Sequence, residues 1–150
     1  MKTTKASIES FLSQQTIAMA GYSHNPKKFG HEVYKTLREK SINVLPVNPK
    51  GGVTESGEMV YESLDALPSN VKTLLVITPK DQTETLVEKA QEMGFTHLWI
   101  QQMSGTPKSE EMLQKFPHAV SGECILKFTN PKGVHKFHWW LSKTFGFLPK

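Results

Sequence analysis

The sequence predicts an α/β chain built on an open parallel sheet. Strand-like and helix-like segments alternate along the whole chain, the pattern of repeated strand–helix–strand units. Two strand segments, 16–20 and 73–78, are nearly unbroken apolar runs. A strand needs such a run when both of its faces are covered. No internal repeat or Pro/Gly/Ser-rich linker divides the 150 residues, a length that suits one domain with a substantial core. Crossovers in such a sheet are right-handed.

The elements follow in order. Thr4 is placed to cap a short first helix, where Ile8, Phe11 and Leu12 recur at i, i+3 and i+4. The first strand is Thr16–Ala20, followed by a polar turn over 21–28. From about Lys28 to Lys40 the pattern is helical, with Val33 and Leu37 four apart. Asn43–Val47 is the second strand, and Pro46 and Pro49 mark where it leaves the sheet. Residues 51–57 read as a flexible loop, 59–61 as a short added strand, and 63–68 as a helical turn stopped by Pro68. The strand over 73–78 is the clearest in the chain, and Pro79 ends it. The helix over 81–93 carries Leu86, Val87 and Ala90 on one face, with Gly94 as its stop. A strand at His97–Gln101, a helix at 109–116 with Met112, Leu113 and Phe116 inward, and a short strand at 119–121 complete the alternation. Residues 133–148 read as an aromatic-rich helix.

Composition narrows the function classes. Lys and Arg number 18 against 14 Asp and Glu, for a formal net charge of +4. The lysines are dispersed, without the dense basic block of a nucleic-acid surface. No apolar run is long enough to span a membrane, and the N-terminal residues are too polar for a signal-peptide core. The single cysteine, Cys124, suits a reducing cytoplasm.

In an open α/β sheet, ligands lie at the carboxyl ends of the strands. Four segments fall there: 21–28, 48–50, 78–82 and 101–104. Gly21 permits tight backbone passage, Ser23 and Asn25 offer hydrogen bonds, and Lys27 and Lys28 bring positive charge to a helix N-terminus. A di- or polyphosphate matches that chemistry. The same residue types also make ordinary solvated turns. A dinucleotide turn reads G-x-G-x-x-G, whereas this chain has Gly21-Tyr22-Ser23-His24-Asn25-Pro26. The acidic residue that holds the NAD ribose is replaced by Asn48-Pro49-Lys50. Both departures disfavour NAD. A ribose bearing its own phosphate suits Lys50, which leaves NADP and coenzyme A.

The segments 17–23, Asn25-Pro26-Lys27-Lys28-Phe29-Gly30, and 44–50 together resemble the CoA-binding domain family. Residues 61–68 and Gly122-Glu123-Cys124-Ile125 are similar to it too, so the resemblance runs from about residue 8 to 127. That family includes small stand-alone bacterial proteins. It also includes the N-terminal domains of the succinyl-CoA synthetase alpha subunit and of ADP-forming acyl-CoA synthetases. The resemblance implies a Rossmann-like open parallel sheet of about five strands with helices on both faces. It also implies coenzyme A or acyl-CoA across the carboxyl edge. By position, Gly21, Ser23, Lys27 and Lys28 of the first turn would face the phosphates, and Tyr22, Asn25 and Pro26 of the same turn would join the cofactor-binding residues. Val47, Asn48, Pro49 and Lys50 would line the adenosine side. Thr78, Pro79 and Gln82 would flank the pyrophosphate and pantetheine, with Gln101 and Met103 further along. The turn departs from the family where an arginine often stands near Lys28 and a proline near Phe29.

The ligases of that family need a further domain with a phosphorylated histidine and a nucleotide-grasp partner. None of the six histidines stands in a matching context. No Ser/His/Asp set, acid–base pair or metal-ligand spacing is present, and His135-x-x-His138 with Cys124 makes a poor metal site. The expectation is a non-catalytic CoA-binding sensor, carrier or accessory protein. Two alternatives stay open. One is an NADP-dependent reductase or partner-completed acyl-CoA ligase subunit, and the other an interaction module with a vestigial pocket. Cys124 is either a small buried hydrophobe or a thiol able to form a mixed disulfide with CoA. In the last segment Val134, Phe137, Leu141, Phe145 and Leu148 share one helical face, flanked by Trp139 and Trp140. That face suits the chain's own sheet, a homo-oligomer or protein partner, or a membrane surface.

Overall fold

The structure is a computed structural model that describes residues 3–129. The expected helix over 133–148, and the contacts read from it, lie outside those residues. The chain runs α1 (Lys5–Leu12), β1 (Thr16–Ala20), α2 (Phe29–Glu39), β2 (Asn43–Val47), β3 (Thr73–Val76), α3 (Lys80–Glu92), β4 (His97–Gln101), α4 (Pro107–Met112), β5 (His118–Glu123) and α5 (Leu126–Thr129). Short 3₁₀ turns occupy Leu64–Ala66 and Leu113–Lys115. The five strands form one sheet in the order β2-β1-β3-β4-β5, and every pairing is parallel.

Alternation along β1 divides the core. Ile17 and Met19 face one side, with Ile8 and Phe11 of α1, Val33 and Leu37 of α2, and Leu126 of α5. Ala18 and Ala20 face the other, with Val87 and Ala90 of α3 and Leu113 and Phe116 after α4. These four of the five β1 residues are buried, which is why the strand reads as an apolar run and not as an alternating one. Trp99 of β4 is fully buried at the centre of the first side. It meets Phe11 edge-on at 5.2 Å and Phe128 at 5.9 Å between centroids. Its Nε1–H donates to the Glu123 carbonyl at 3.0 Å.

Local signals set the helix starts. Thr4 and Ser7 cap α1 reciprocally, and Thr106 and Ser109 do the same for α4. Helix α4 therefore starts at Pro107, earlier than its apolar pattern suggests, and its last turn tightens into the 3₁₀ segment. Segment 59–61 is not a strand. It makes isolated bridges from Tyr61 to Val47 and from Met59 to Val53. Pro46 has no N–H to extend that pairing, but its carbonyl accepts the Tyr61 N–H at 2.9 Å. β3 ends at Val76, two residues short of the apolar run. Ile77 N–H still donates to the Ala20 carbonyl at 2.8 Å, after which the chain turns into α3. β5 is longer than its residue pattern implies, and the short α5 has no counterpart in that pattern. Outside β5, the Thr3 hydroxyl accepts the Ser121 N–H at 2.9 Å and donates to the Ser121 carbonyl at 3.0 Å.

At the amino edge, His97 stacks on His118 with centroids 4.3 Å apart. Burial, and then the neighbouring His118, hold His97 below the usual histidine range. The unfolded chain therefore binds the extra proton first as pH falls, so stability drops from the ordinary histidine value down to the depressed one. His118→Ala is expected to flatten part of the fall in Tm between pH 7.5 and 5 (about the range in which histidine titrates). Parallel Tm curves for the two proteins would refute the coupling.

Candidate functional site

The strand order reverses between β1 and β3, because the first crossover leads outward to β2 and the next returns across β1. Loops leaving β1 and β3 must diverge there, opening a crevice at the carboxyl edge. A cleft of about 840 Å³ occupies that place.

Its wall is built from the turn after β1. Gly21 adopts φ +104°, and a Cβ there would lie 1.8 Å from the Ile77 carbonyl oxygen. A Cβ on Gly30, in the first turn of α2, would lie 2.0 Å from the Gly21 oxygen. The turn is thus pressed between the end of β3 and the start of α2. Two side chains latch it to the loop after β2. Asn48 Nδ2 donates to the Tyr22 carbonyl at 2.7 Å, and His24 Nε2 donates to the Gly51 carbonyl at 2.8 Å. Asn48 Oδ1 accepts the Lys50 N–H at 2.8 Å, so both ends of this side chain serve the backbone.

Apolar surface comes from Val47, Pro49, Leu64, Ile77, Pro79 and Leu86, with Gln82 and Thr85 beside them. Lys50 and Lys89 share this lining with three carboxylates, Glu62, Asp65 and Asp81. Lys89 is already paired with Asp65 at 3.0 Å. The interior is therefore not basic. Thr78 is buried, and its hydroxyl lies 3.0 Å from that of Thr83. Since Thr83 donates to the Ser104 carbonyl at 2.7 Å, Thr78 is the donor to Thr83 and ties β3 to α3.

The structure gathers Gly21, Tyr22, Val47, Asn48, Pro49, Lys50, Thr78, Pro79 and Gln82 around this one cleft. Tyr22 contributes little more than its backbone, because its ring is buried against Tyr34 and His24. Ser23, Asn25, Pro26, Lys27 and Lys28 are not among the lining residues; they continue the turn beyond it. Ser23 Oγ accepts the Asn25 N–H at 3.1 Å, and Asn25 Oδ1 accepts the Lys27 N–H at 2.9 Å. These side chains shape the turn. Lys28 caps α2 without a side-chain hydrogen bond. Gln101 and Met103 fall in a separate cleft of about 360 Å³ with Lys80, Thr106 and Glu110. Gln101 is buried, and its Oε1 accepts the Ile125 N–H at 3.1 Å. Cys124 is buried in the core, in keeping with the small-hydrophobe reading. Sequence reasoning gives no site role to Glu62, Asp65, Thr85, Leu86 and Lys89, nor to Gly30. A glycine inside a helix, about 1 kcal/mol worse than alanine, is the one signal that points to any of them. Among the described residues no helix is long and apolar enough to cross a membrane.

Comparison with known proteins agrees with this geometry. A family model described as a CoA binding domain matches residues 15–129, from just before β1 to the end of α5. The alpha subunit of the ADP-forming acetate–CoA ligase II of Pyrococcus furiosus is 34% identical over 83 residues, which are 54% of this chain and 18% of that protein. The chain thus spans only a small part of that relative. The uncharacterized protein YneT of Bacillus subtilis is 25% identical over 126 residues, 83% of this chain and 92% of that one. A solved structure of a conserved hypothetical protein from Pyrococcus furiosus superposes with a TM-score of 0.72 at 32% identity, covering 77% of this chain and all (100%) of the other. A Thermus thermophilus protein superposes with a TM-score of 0.71 at 27% identity, covering 93% and 99%. With its five parallel strands, its cleft at the β1/β3 reversal and a matched segment that runs through every strand, the chain belongs to the CoA-binding domain family.

Proposed function

We propose that the chain acts as a single cytoplasmic domain that binds coenzyme A or acyl-CoA at the carboxyl edge of the sheet. It catalyses no reaction of its own and serves as a sensor, carrier or accessory protein. The observation that carries this reading is the cleft of about 840 Å³ at the β1/β3 reversal. Its charges suggest how the ligand lies. Three carboxylates against two lysines, one of them already paired, disfavour phosphates inside. The adenosine end takes the apolar slot between Val47, Pro49, Leu64 and Leu86. The phosphates lie at the mouth, towards Lys50, the turn, Lys27, Lys28 and the N-terminus of α2. The pantetheine arm crosses Thr78, Pro79 and Gln82 towards Gln101 and Met103.

Calorimetry with CoA, acetyl-CoA, NADP and ATP tests this. Heat is expected from CoA and acetyl-CoA. Silence from both at millimolar ligand sinks the reading, and heat from NADP alone transfers the site to a reductase. Lys28→Ala is expected to weaken CoA about tenfold or more, the scale of one charged hydrogen bond, and to make binding less sensitive to salt. Unchanged affinity moves the phosphates away from Lys28. A second reading, a subunit that completes an acyl-CoA ligase with another chain, is favoured by the 34% identity to a ligase alpha subunit. It predicts CoA-dependent nucleotide turnover only when a partner chain is supplied.

A further inference from the structure

The first turn of α2 places His31 beneath the turn that follows β1, where it is only 7% exposed. Its Nδ1 lies 2.9 Å from the Ser23 carbonyl oxygen. A carbonyl can only accept, so Nδ1 carries a proton. Its Nε2 faces the Glu55 carboxylate at 3.5 Å, and an ionised carboxylate also only accepts. A neutral imidazole has one N–H and one lone pair. With Nδ1 donating, the neutral ring turns its lone pair towards an anion, whereas the imidazolium satisfies both neighbours.

The surroundings leave that role to His31. From the turn, the Tyr22 ring lies 6.1 Å away between centroids, with His24 against the same tyrosine at 5.2 Å. From α2, Tyr34, Lys35, Arg38 and Glu39 line the same cavity, and Glu55 and Glu58 reach it from the loop after β2. Glu58 is engaged by the Tyr34 hydroxyl at 2.6 Å and by the Arg38 guanidinium, so Glu55 is the carboxylate opposite the ring. Burial and then Glu58 push the Tyr34 phenol up to about 12. Burial and then Glu55 push the Tyr22 phenol up. Both phenols therefore stay neutral where histidine titrates.

We infer that His31 is a positioning residue of the ligand turn: as an imidazolium it ties the Ser23 carbonyl to Glu55, and an anion bound at the turn draws a proton onto it. In a trans peptide the C=O and the next N–H point in opposite directions. Holding the Ser23 carbonyl towards His31 therefore turns the His24 N–H away from the ring and fixes this peptide unit of the turn. Negative charge at the turn favours the charged ring. The second half of the inference rests on residues 21–28 being the phosphate end of the site.

The test begins on the free full-length protein. Long-range proton–nitrogen NMR at the acidic end of the histidine range is expected to show both His31 nitrogens protonated. As pH rises, the His24 and Glu55 amides are expected to shift together with the ring. In His31→Asn, whose amide replaces the Nδ1 donor without a charge, the Glu55 amide should lose its response over the histidine range, and the His24 amide should keep only what its own ring contributes. Calorimetry with CoA in buffers of different ionisation heat should show fractional proton uptake by the wild type and clearly less by His31→Asn. His31→Ala, which also loses the donor, should bind CoA more weakly than His31→Asn. A ring that stays unprotonated at Nε2, wild-type amides that do not respond, or proton uptake undiminished in His31→Asn overturns the inference. If the amides respond as expected but the wild type gives no heat with CoA, the proton-linked turn stands and the phosphate reading of 21–28 falls.

Discussion

Gly21→Ala is expected to lower the free energy of unfolding by about 2–6 kcal/mol, the sum of backbone strain and overpacking. The residue sits at φ +104°, outside the conformations an alanine adopts without strain, at about 1–3 kcal/mol. Its new methyl would also lie 1.8 Å from the Ile77 carbonyl oxygen. That oxygen is backbone at the end of a central strand, so it cannot swing aside as a side-chain tip does. Overpacking of this kind adds about 1–3 kcal/mol. Urea denaturation should show a lower midpoint at an unchanged slope. Because relief requires the turn to leave β3, the cleft changes shape as well, and CoA affinity should fall in the molecules that remain folded. A midpoint within error of the wild type would mean that the turn does not press on β3 as described.

Trp99→Ala is expected to cost about 3–5 kcal/mol by a different route. The side chain is fully buried and packs edge-on against Phe11 and Phe128, so removing it leaves a large void in the side of the core facing α1, α2 and α5. The hydrogen bond from Nε1 contributes less than the volume. The Glu123 carbonyl that it reaches also accepts the Gln102 N–H at 3.1 Å and is not orphaned by the change. Trp99→Phe should therefore recover most of the lost stability. Since Trp99 faces the side of the sheet away from α3, CoA binding by the folded fraction should be nearly unaltered. That outcome separates Trp99 from Gly21, where stability and binding fall together. Equal losses for Trp99→Phe and Trp99→Ala would show that the hydrogen bond, and not the filled volume, accounts for most of the stabilisation.

Much of this architecture is legible in the sequence because buried parallel strands write themselves as apolar runs. β1 and β2 have the boundaries their residues imply, and β4 does too. The structure likewise brings the turn at Gly21, the segment 47–50 and the segment 78–82 to one crevice, as the carboxyl-end rule requires. The features that no local pattern carries depend on apposition between distant segments. Leu86 and Lys89 read as an ordinary helix face until α3 is laid against Leu64 and Asp65. Gln101 stands at the carboxyl end of a strand, but its side chain turns inward to the Ile125 N–H, a choice that nothing in its neighbourhood announces. His31 occupies a helical position that only the folded loop at 54–58 turns into a bridge. The short pairing of Tyr61 reads as a strand because its residue types suit one; Pro46 opposite it limits the pairing to a bridge.

The bonds made by Thr3 and Tyr61 bear on how this protein meets copies of itself. A sheet of five strands has two open margins, and a bare margin invites another chain to add a strand. On β5 the Thr3 hydroxyl occupies both backbone groups of Ser121. On β2, Pro46 offers no N–H, while Tyr61 takes its carbonyl and the Asn48 N–H. The β5 margin is thus stoppered near its middle and the β2 margin at its carboxyl end. Growth of the sheet from molecule to molecule is discouraged at crowded concentrations, and any association between copies is directed to the helical faces.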